Sequence, residues 1–266
     1  MLLRLLKQDI RSTARIMVVL YAAVLVLGAV SRLLSSFVDE TVGSILIMVF
    51  SRFITILFII AVVACVVMSF VLMVIRFYKN FLTDEGYLMF TLPVTTGQLI
   101  WSKLLVSVFW VIVSAAVGVL TAFIMSVGTD AQDIIFDIDF KALFEGFTGG
   151  QTTAVIIMFV ALLLFYAAYI YLRCYAAMAI GQSFGNHKLL LSVAFYIGFG
   201  IVEEIISIAI LSPLLTTDKL NDIFMNAEPF SVVASFFGAL DGYYLVLCVA
   251  YFVVTYLFFR KKLNLQ

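Results

Sequence analysis

Hydrophobic residues in this chain run in unbroken stretches, each long enough for the roughly 20 apolar residues a spanning helix needs, and polar residues gather between them. Six such stretches predict six membrane-spanning helices, at residues 16–34, 53–75, 97–127, 154–180, 189–211 and 243–259. None shows the alternate-residue polarity of barrel strands. Lipid forces every backbone polar group to find an internal partner, so the predicted fold class is all-α integral membrane. Residues 44–50 fit either an outward extension of the second span or a segment lying on the outer surface. No internal repeat or low-complexity linker interrupts the pattern, so residues 1–266 read as one transmembrane domain.

Composition points the same way. The chain is 65% hydrophobic and 12% charged, with a mean hydropathy of +1.19. A soluble domain runs about 45–50% apolar and about 25% charged, and could not bury this much apolar surface. The formal net charge is +0, but the cations are unevenly placed. Arg4, Lys7, Arg11 and Arg15 precede the first span. Arg76, Lys79 and Lys103 lie between the second and third, His187 and Lys188 between the fourth and fifth, and Arg260, Lys261 and Lys262 after the sixth. The opposite side has Arg32, Arg52, Lys141 and Lys219, with acidic loops containing Asp130, Asp133, Asp137, Asp139, Glu145, Asp218, Asp222 and Glu228. Lysine and arginine orient a membrane protein toward the cytoplasm, so both termini are expected there, at the cell membrane.

Residues 1–15 place Arg4, Lys7, Gln8, Arg11 and Arg15 on one helical face and Leu2, Leu3, Leu6, Ile10 and Ala14 on the other. This predicts either an amphipathic helix lying in the interface or a plain orienting signal. No small-residue cleavage site follows, so a removed signal peptide is not expected. Cys65, Cys174 and Cys248 fall in apolar spans without a C-x-x-C pair and read as small hydrophobes. There is one histidine, His187, and no H-E-x-x-H or G-x-x-x-x-G-K-[ST]. Enzymatic chemistry, metal and cofactor are therefore not expected in this chain. Its dispersed cations do not suit nucleic acid.

One long polar-containing connection between spans is residues 76–103, RFYKNFLTDEGYLMFTLPVTTGQLIWSK. Thr83 can cap a short helix whose first turn holds Asp84 and Glu85, suited to the positive end of the helix dipole. Gly86 permits close approach of another backbone. Tyr87, Leu88, Met89 and Phe90 supply apolar and aromatic projections, and Pro93 forbids continuation. Thr95 and Gln98 then form a capping box, and Val94 and Leu99 a hydrophobic staple, at the start of the third span. Trp101 and Lys103 are expected at the interface, as an aromatic anchor and a snorkelling cation.

The string DEGYLMFTLPVTTGQLIWSKLL, residues 84–105, resembles a segment of the membrane subunits of ABC-2 type transporters of Gram-positive bacteria. Residues 181–188, GQSFGNHK, resemble the short turn after the fourth span of that family. The resemblance implies a permease subunit: six spans, an N-terminal interfacial helix and a cytoplasmic coupling helix between the second and third spans. It implies that Asp84, Glu85, Gly86, Tyr87, Leu88, Phe90, Leu92 and Pro93 contact a separate ABC ATPase subunit, which binds ATP and Mg. It also implies a homo- or heterodimer with another permease chain, and short re-entrant helices in residues 212–242, where an outer-face loop is the plain alternative.

Three ionisable residues fall inside predicted spans. Arg173 lies in the fourth, Glu203 and Glu204 in the fifth. An antiparallel pair of helices can bring Arg173 opposite one glutamate. Adjacent residues point about 100° apart, so only one can face it squarely, and Glu203 is the expected partner. A pair there serves either as a structural tie or as a polar lining or latch of a substrate path. Asp9 and Asp241 are expected near interfaces. The sequence thus points to the permease of an ATP-driven exporter. The alternatives are an ion-coupled secondary transporter or channel, or a non-transporting scaffold or immunity protein.

Overall fold

A computed structural model describes residues 2–40, 45–82, 94–127, 147–184, 187–211 and 228–261. They form six α-helices: α1 (Leu2–Glu40), α2 (Ile45–Leu82), α3 (Thr96–Ser126), α4 (Gly149–Gly181), α5 (Lys188–Leu211) and α6 (Pro229–Lys261). There is no strand among the described residues. All six helices are long and apolar enough to cross a membrane.

The helices extend beyond the apolar stretches that predict them. α1 is unbroken from Leu2, so the basic residues 2–15 are its opening turns and not a helix set apart from the span. No proline or glycine interrupts residues 2–27, and a helix ends only where something stops it. Residues 45–50 belong to the start of α2. α6 begins at Pro229, so the second half of the segment 212–242, expected to be a loop or re-entrant, is continuous with the last span. Proline suits a first helical position, where its missing N–H costs nothing. The Ser231 N–H donates to the Glu228 carbonyl (2.9 Å) and closes that first turn. Asp241 lies about 18 Å along α6 from Pro229. Residues 212–227, like the hairpin residues 83–93, lie outside those described.

The chain divides into two compact units. The first comprises Met1–Ile75 and Leu105–Leu143, with α1, most of α2 and the later turns of α3. Its interior is tied by hydroxyls. Trp110 Nε1 donates to Thr13 Oγ1 (3.0 Å), the Tyr21 hydroxyl bonds Ser114 Oγ (2.7 Å), and Ser114 Oγ reaches Ser69 Oγ (3.3 Å). Ser31 and Thr55 share a further bond (3.1 Å). Membrane helices gain little from hydrophobic burial against one another, so close packing of small residues and interhelical hydrogen bonds hold them. Gly28 serves the packing, since a Cβ there would come 3.0 Å from the Phe58 ring.

The second unit comprises Arg76–Leu104 and Phe144–Gln266, with α4, α5, α6 and the two stems that flank the hairpin. α4 and α6 run side by side through paired rings: Phe147 with Phe230 (6.1 Å), Phe159 with Phe237 (6.0 Å) and Tyr166 with Tyr244 (5.3 Å). α4 and α5 are pressed together at their connection. A Cβ on Gly181 would stand 2.7 Å from the Ser192 backbone nitrogen, so only glycine permits this approach. His187 holds a left-handed backbone conformation, φ 59°, and its carbonyl accepts from the Leu191 N–H (3.0 Å) to open α5.

Candidate functional site

Arg173 and Glu203 meet in the interior of the second unit, with Arg173 Nη1 3.2 Å from Glu203 Oε2. Helix geometry explains the meeting. Arg173 stands about 12 Å from the end of α4 at Gly181, and Glu203 about 22 Å along α5 from Lys188. Side chains lean toward the N-terminus of their own helix. In this antiparallel pair Arg173 leans away from the connecting turn and Glu203 toward it, which closes the difference in depth.

Tyrosines complete the cluster. The Tyr169 hydroxyl donates to Glu203 Oε2 (2.6 Å) and accepts from Arg173 Nη1 (3.1 Å). The Tyr251 hydroxyl donates to Glu203 Oε1. Arg173 Nη2 donates to the Tyr196 carbonyl (2.9 Å), and its guanidinium carbon lies 4.3 Å from the centre of the Tyr196 ring. Gly200 makes room: a Cβ there would collide with Arg173 Nη2. It follows Tyr196 by one helical turn, so its missing side chain opens that carbonyl to a second donor. Arg173 Nε is buried without a partner among the described residues.

Glu203 is 8% exposed, yet its carboxylate accepts from two tyrosine hydroxyls and pairs with Arg173, partners from two other helices. A charged residue such as Asp or Arg at the centre of a spanning helix costs about 2.5–3.5 kcal/mol on insertion scales, and pairing with full hydrogen bonding is how such residues are tolerated. The cluster therefore locks α4, α5 and α6 to one another. Tyr169, Tyr196, Gly200 and Tyr251 were not among the residues singled out from the sequence. Tyr169 had a signal, since it precedes Arg173 by one turn. Tyr251 had none beyond being a polar tip in an apolar span.

Glu204 takes no part. It is exposed, about 100° round α5 from Glu203. Its carboxylate has no ion-pair or hydrogen-bond partner among the described residues.

The hairpin residues Asp84, Glu85, Gly86, Tyr87, Leu88, Phe90, Leu92 and Pro93 lie outside the described residues, but both their stems are defined. On the incoming stem Phe77 and Phe81 are buried, at 1% and 0% exposure. Phe77 stacks on Tyr175 of α4, and Phe81 on Phe259 of α6, with centroids 5.4 Å apart. On the outgoing stem the capping box forms as expected: the Gln98 N–H donates to Thr95 Oγ1 (3.4 Å) and the Thr95 N–H to Gln98 Oε1 (3.3 Å). Leu99 and Ile100 are buried directly after it. Trp101 is half exposed and packs near Phe252 (5.4 Å). Lys103, expected to snorkel to the interface, is instead 6% exposed. It is buried in the same helical turns as Leu99, Ile100 and Leu104.

No group of three potential metal ligands occurs among the described residues. Six long apolar helices, three of them clamped by an ion pair in their midst, define the class: a multi-pass helical membrane protein. Beyond that class, no protein-family model, no curated protein and no solved structure matches the chain.

Proposed function

We propose that the chain is the permease subunit of an ATP-driven ABC-2 type exporter. It forms half of a dimeric translocation pathway in the cell membrane, with both termini cytoplasmic. ATP and Mg belong to a separate ATPase, which seats the coupling helix formed by Asp84, Glu85, Gly86, Tyr87, Leu88, Phe90, Leu92 and Pro93. The opening turns of α1, with Arg4, Lys7, Arg11 and Arg15, rest on the cytoplasmic leaflet.

One observation carries the reading: the family-like segment 84–105 is mounted on stems that are rigidly packed. Phe77 and Phe81 bind the incoming stem to α4 and α6, and the Thr95–Gln98 box fixes the direction in which α3 departs. A displacement at the hairpin is then passed to the helices that hold the Arg173–Glu203 cluster. An ordinary interfacial loop has no need of such stems. Packed interiors transmit strain because they are poorly compressible.

The second reading is an ion-coupled secondary transporter, and the observation favouring it is the buried ion pair with its tyrosine hydroxyls. It leaves the rigid stems without a purpose.

Co-purification in detergent with the ABC ATPase subunits of the same cell separates the two. The complex is expected with the unaltered chain and lost when Asp84, Glu85 and Tyr87 are all changed to Ala. A folded, unaltered chain that binds no ATPase would overturn the permease reading, and substrate flux in liposomes without any ATPase would establish the second.

A further inference from the structure

α4 and α6 run parallel, because their ring contacts follow in the same order along both: Phe159 with Phe237 (6.0 Å), then Tyr166 with Tyr244 (5.3 Å). On each helix the two pairs stand about 10 Å apart, from 159 to 166 and from 237 to 244. Asp241 falls between them. It lies one turn after Phe237 and one turn before Tyr244, on the face of α6 that those rings turn to α4. Side chains lean toward the N-terminus of their own helix, so the Tyr244 ring leans toward Asp241. A carboxyl group thus has a pair of aromatic rings on either side of it. Three observations leave this box incomplete. Asp241 Oδ1 is buried without a hydrogen-bond partner. α4 has no charged residue from Gly149 to Leu172, and the next, Arg173, is held by Glu203. The box is also open at its side: Phe159 and Tyr166 are 48% and 45% exposed, and a Cβ at Gly238, one turn before Asp241, would meet nothing within 4 Å. Ionisable groups in spanning helices are normally paired, and Asp241 has no cation to pair with among the described residues.

We propose that Asp241, with Phe159, Phe237, Tyr166 and Tyr244, forms a binding site for an organic ammonium ion with apolar substituents. The carboxylate supplies the opposite charge. The ring faces attract a cation through their quadrupoles, the chemistry by which aromatic cages hold quaternary ammonium groups. The same lining selects against other cations. Magnesium or calcium needs a shell of oxygen ligands, and one carboxylate among rings and aliphatic side chains offers too few. A lipid headgroup that joins its amine to a phosphate is unsuited as well, since α4 has no cation here to receive the phosphate. An amphiphilic amine fits: its ammonium sits at Asp241, and its apolar part extends through the open side. The site names a class of cargo for either transport reading and rests on neither, since binding needs no ATPase and no gradient.

Equilibrium dialysis of the full chain in a neutral detergent, with radiolabelled benzyltrimethylammonium, tests it. Saturable binding is expected, displaced by the unlabelled ion but not by neopentylbenzene, which has the same shape with carbon in place of the charged nitrogen. Asp241→Asn keeps the size of the side chain and removes its charge, and should weaken binding at least about tenfold. Tyr166→Leu removes one ring face and should weaken it about three- to tenfold, while Tyr166→Phe keeps the face and should bind as the unaltered chain does. Thermal unfolding without ligand establishes that each variant is folded. Tyr166→Leu changes an exposed ring, so it still decides the matter if Asp241→Asn does not fold. Three results would each overturn the proposal: a folded, unaltered chain without saturable binding, displacement by neopentylbenzene as effective as by the ammonium, or a folded Asp241→Asn or Tyr166→Leu chain that binds as tightly as the unaltered one. The assay contains no ATPase, so none of these results bears on the permease reading.

Discussion

Phe77 lies flat against Tyr175, with ring centroids 3.6 Å apart and planes 6° from parallel. Phe77 is on the stem that enters the hairpin, and Tyr175 follows Arg173 on α4. The stack therefore joins the stem of the proposed ATPase contact to the helix that carries Arg173. Aromatic pairs of this kind add about 0.5–1.5 kcal/mol beyond the area they bury.

Phe77→Ala is expected to destabilise the protein by about 3–5 kcal/mol, the usual result of emptying a buried aromatic site. Phe77→Leu should cost less and keep the fold. If the stem transmits motion, Phe77→Leu leaves ATPase binding intact and lowers transport per ATP hydrolysed. Thermal unfolding in detergent measures the first effect, and coupled ATPase and transport assays the second. An unchanged transport-to-hydrolysis ratio would remove the stem from the coupling route.

Removing Arg173 alone leaves Glu203 buried without its cation. Breaking a buried pair from one side costs about 3–5 kcal/mol, whereas replacing both partners is often close to neutral. Arg173→Met should therefore unfold at a clearly lower temperature, and Arg173→Met with Glu203→Gln should recover much of the loss. The same denaturation experiment on the four chains completes the cycle. A double variant no better than the single one would mean that the two residues are not coupled.

The tyrosines differ in what they contribute. Tyr251 gives Glu203 one O–H, while the Tyr169 hydroxyl bridges donor and acceptor. Tyr251→Phe is expected to cost about 1–2 kcal/mol, in the range for a hydrogen bond to a charged group. Tyr169→Phe removes two bonds and should cost more. Thermal unfolding of the two single variants ranks them, and the reverse order would show that Tyr251 is the main anchor of the carboxylate.

Hydropathy revealed the number of spans because bilayer thickness imposes a length on apolar stretches. It did not reveal where the helices end. The polar turns before residue 16 and the stretch from Pro229 to Gly242 continue their helices because the backbone hydrogen-bond ladder runs on through residues of any polarity. Arg173 and Glu203 were legible as a pair because a charge inside a span announces itself, and helical rotation chose between the two glutamates. Tyr169 and Tyr251 were not, because tyrosine is common in membrane spans and only three-dimensional packing distinguishes one hydroxyl from another. Lys103 was misread because a cation near a helix start suits an interface, and its burial depends on neighbours that no local pattern names.

Two glycines on α5 provide a matched test of the cluster. Gly198 and Gly200 lie one on each side of Phe199, and alanine favours a helix over glycine by about 1 kcal/mol at either position. Their surroundings differ. A Cβ at Gly198 would meet nothing within 4 Å, whereas at Gly200 it would displace the guanidinium of Arg173 from the Tyr196 carbonyl. Gly198→Ala is therefore expected to be neutral or slightly stabilising. Gly200→Ala should destabilise by about 1–3 kcal/mol, the usual range for overpacking a filled site, because the arginine must find a new position in a low-dielectric interior. Combining Gly200→Ala with Arg173→Met, which removes the obstructed group, should then cost less than the sum of the two single changes. Unfolding temperatures of the five chains decide the matter. A Gly200→Ala protein as stable as Gly198→Ala would show that Arg173 does not occupy the space beside Gly200, and the clamp between α4 and α5 would have to be sought elsewhere.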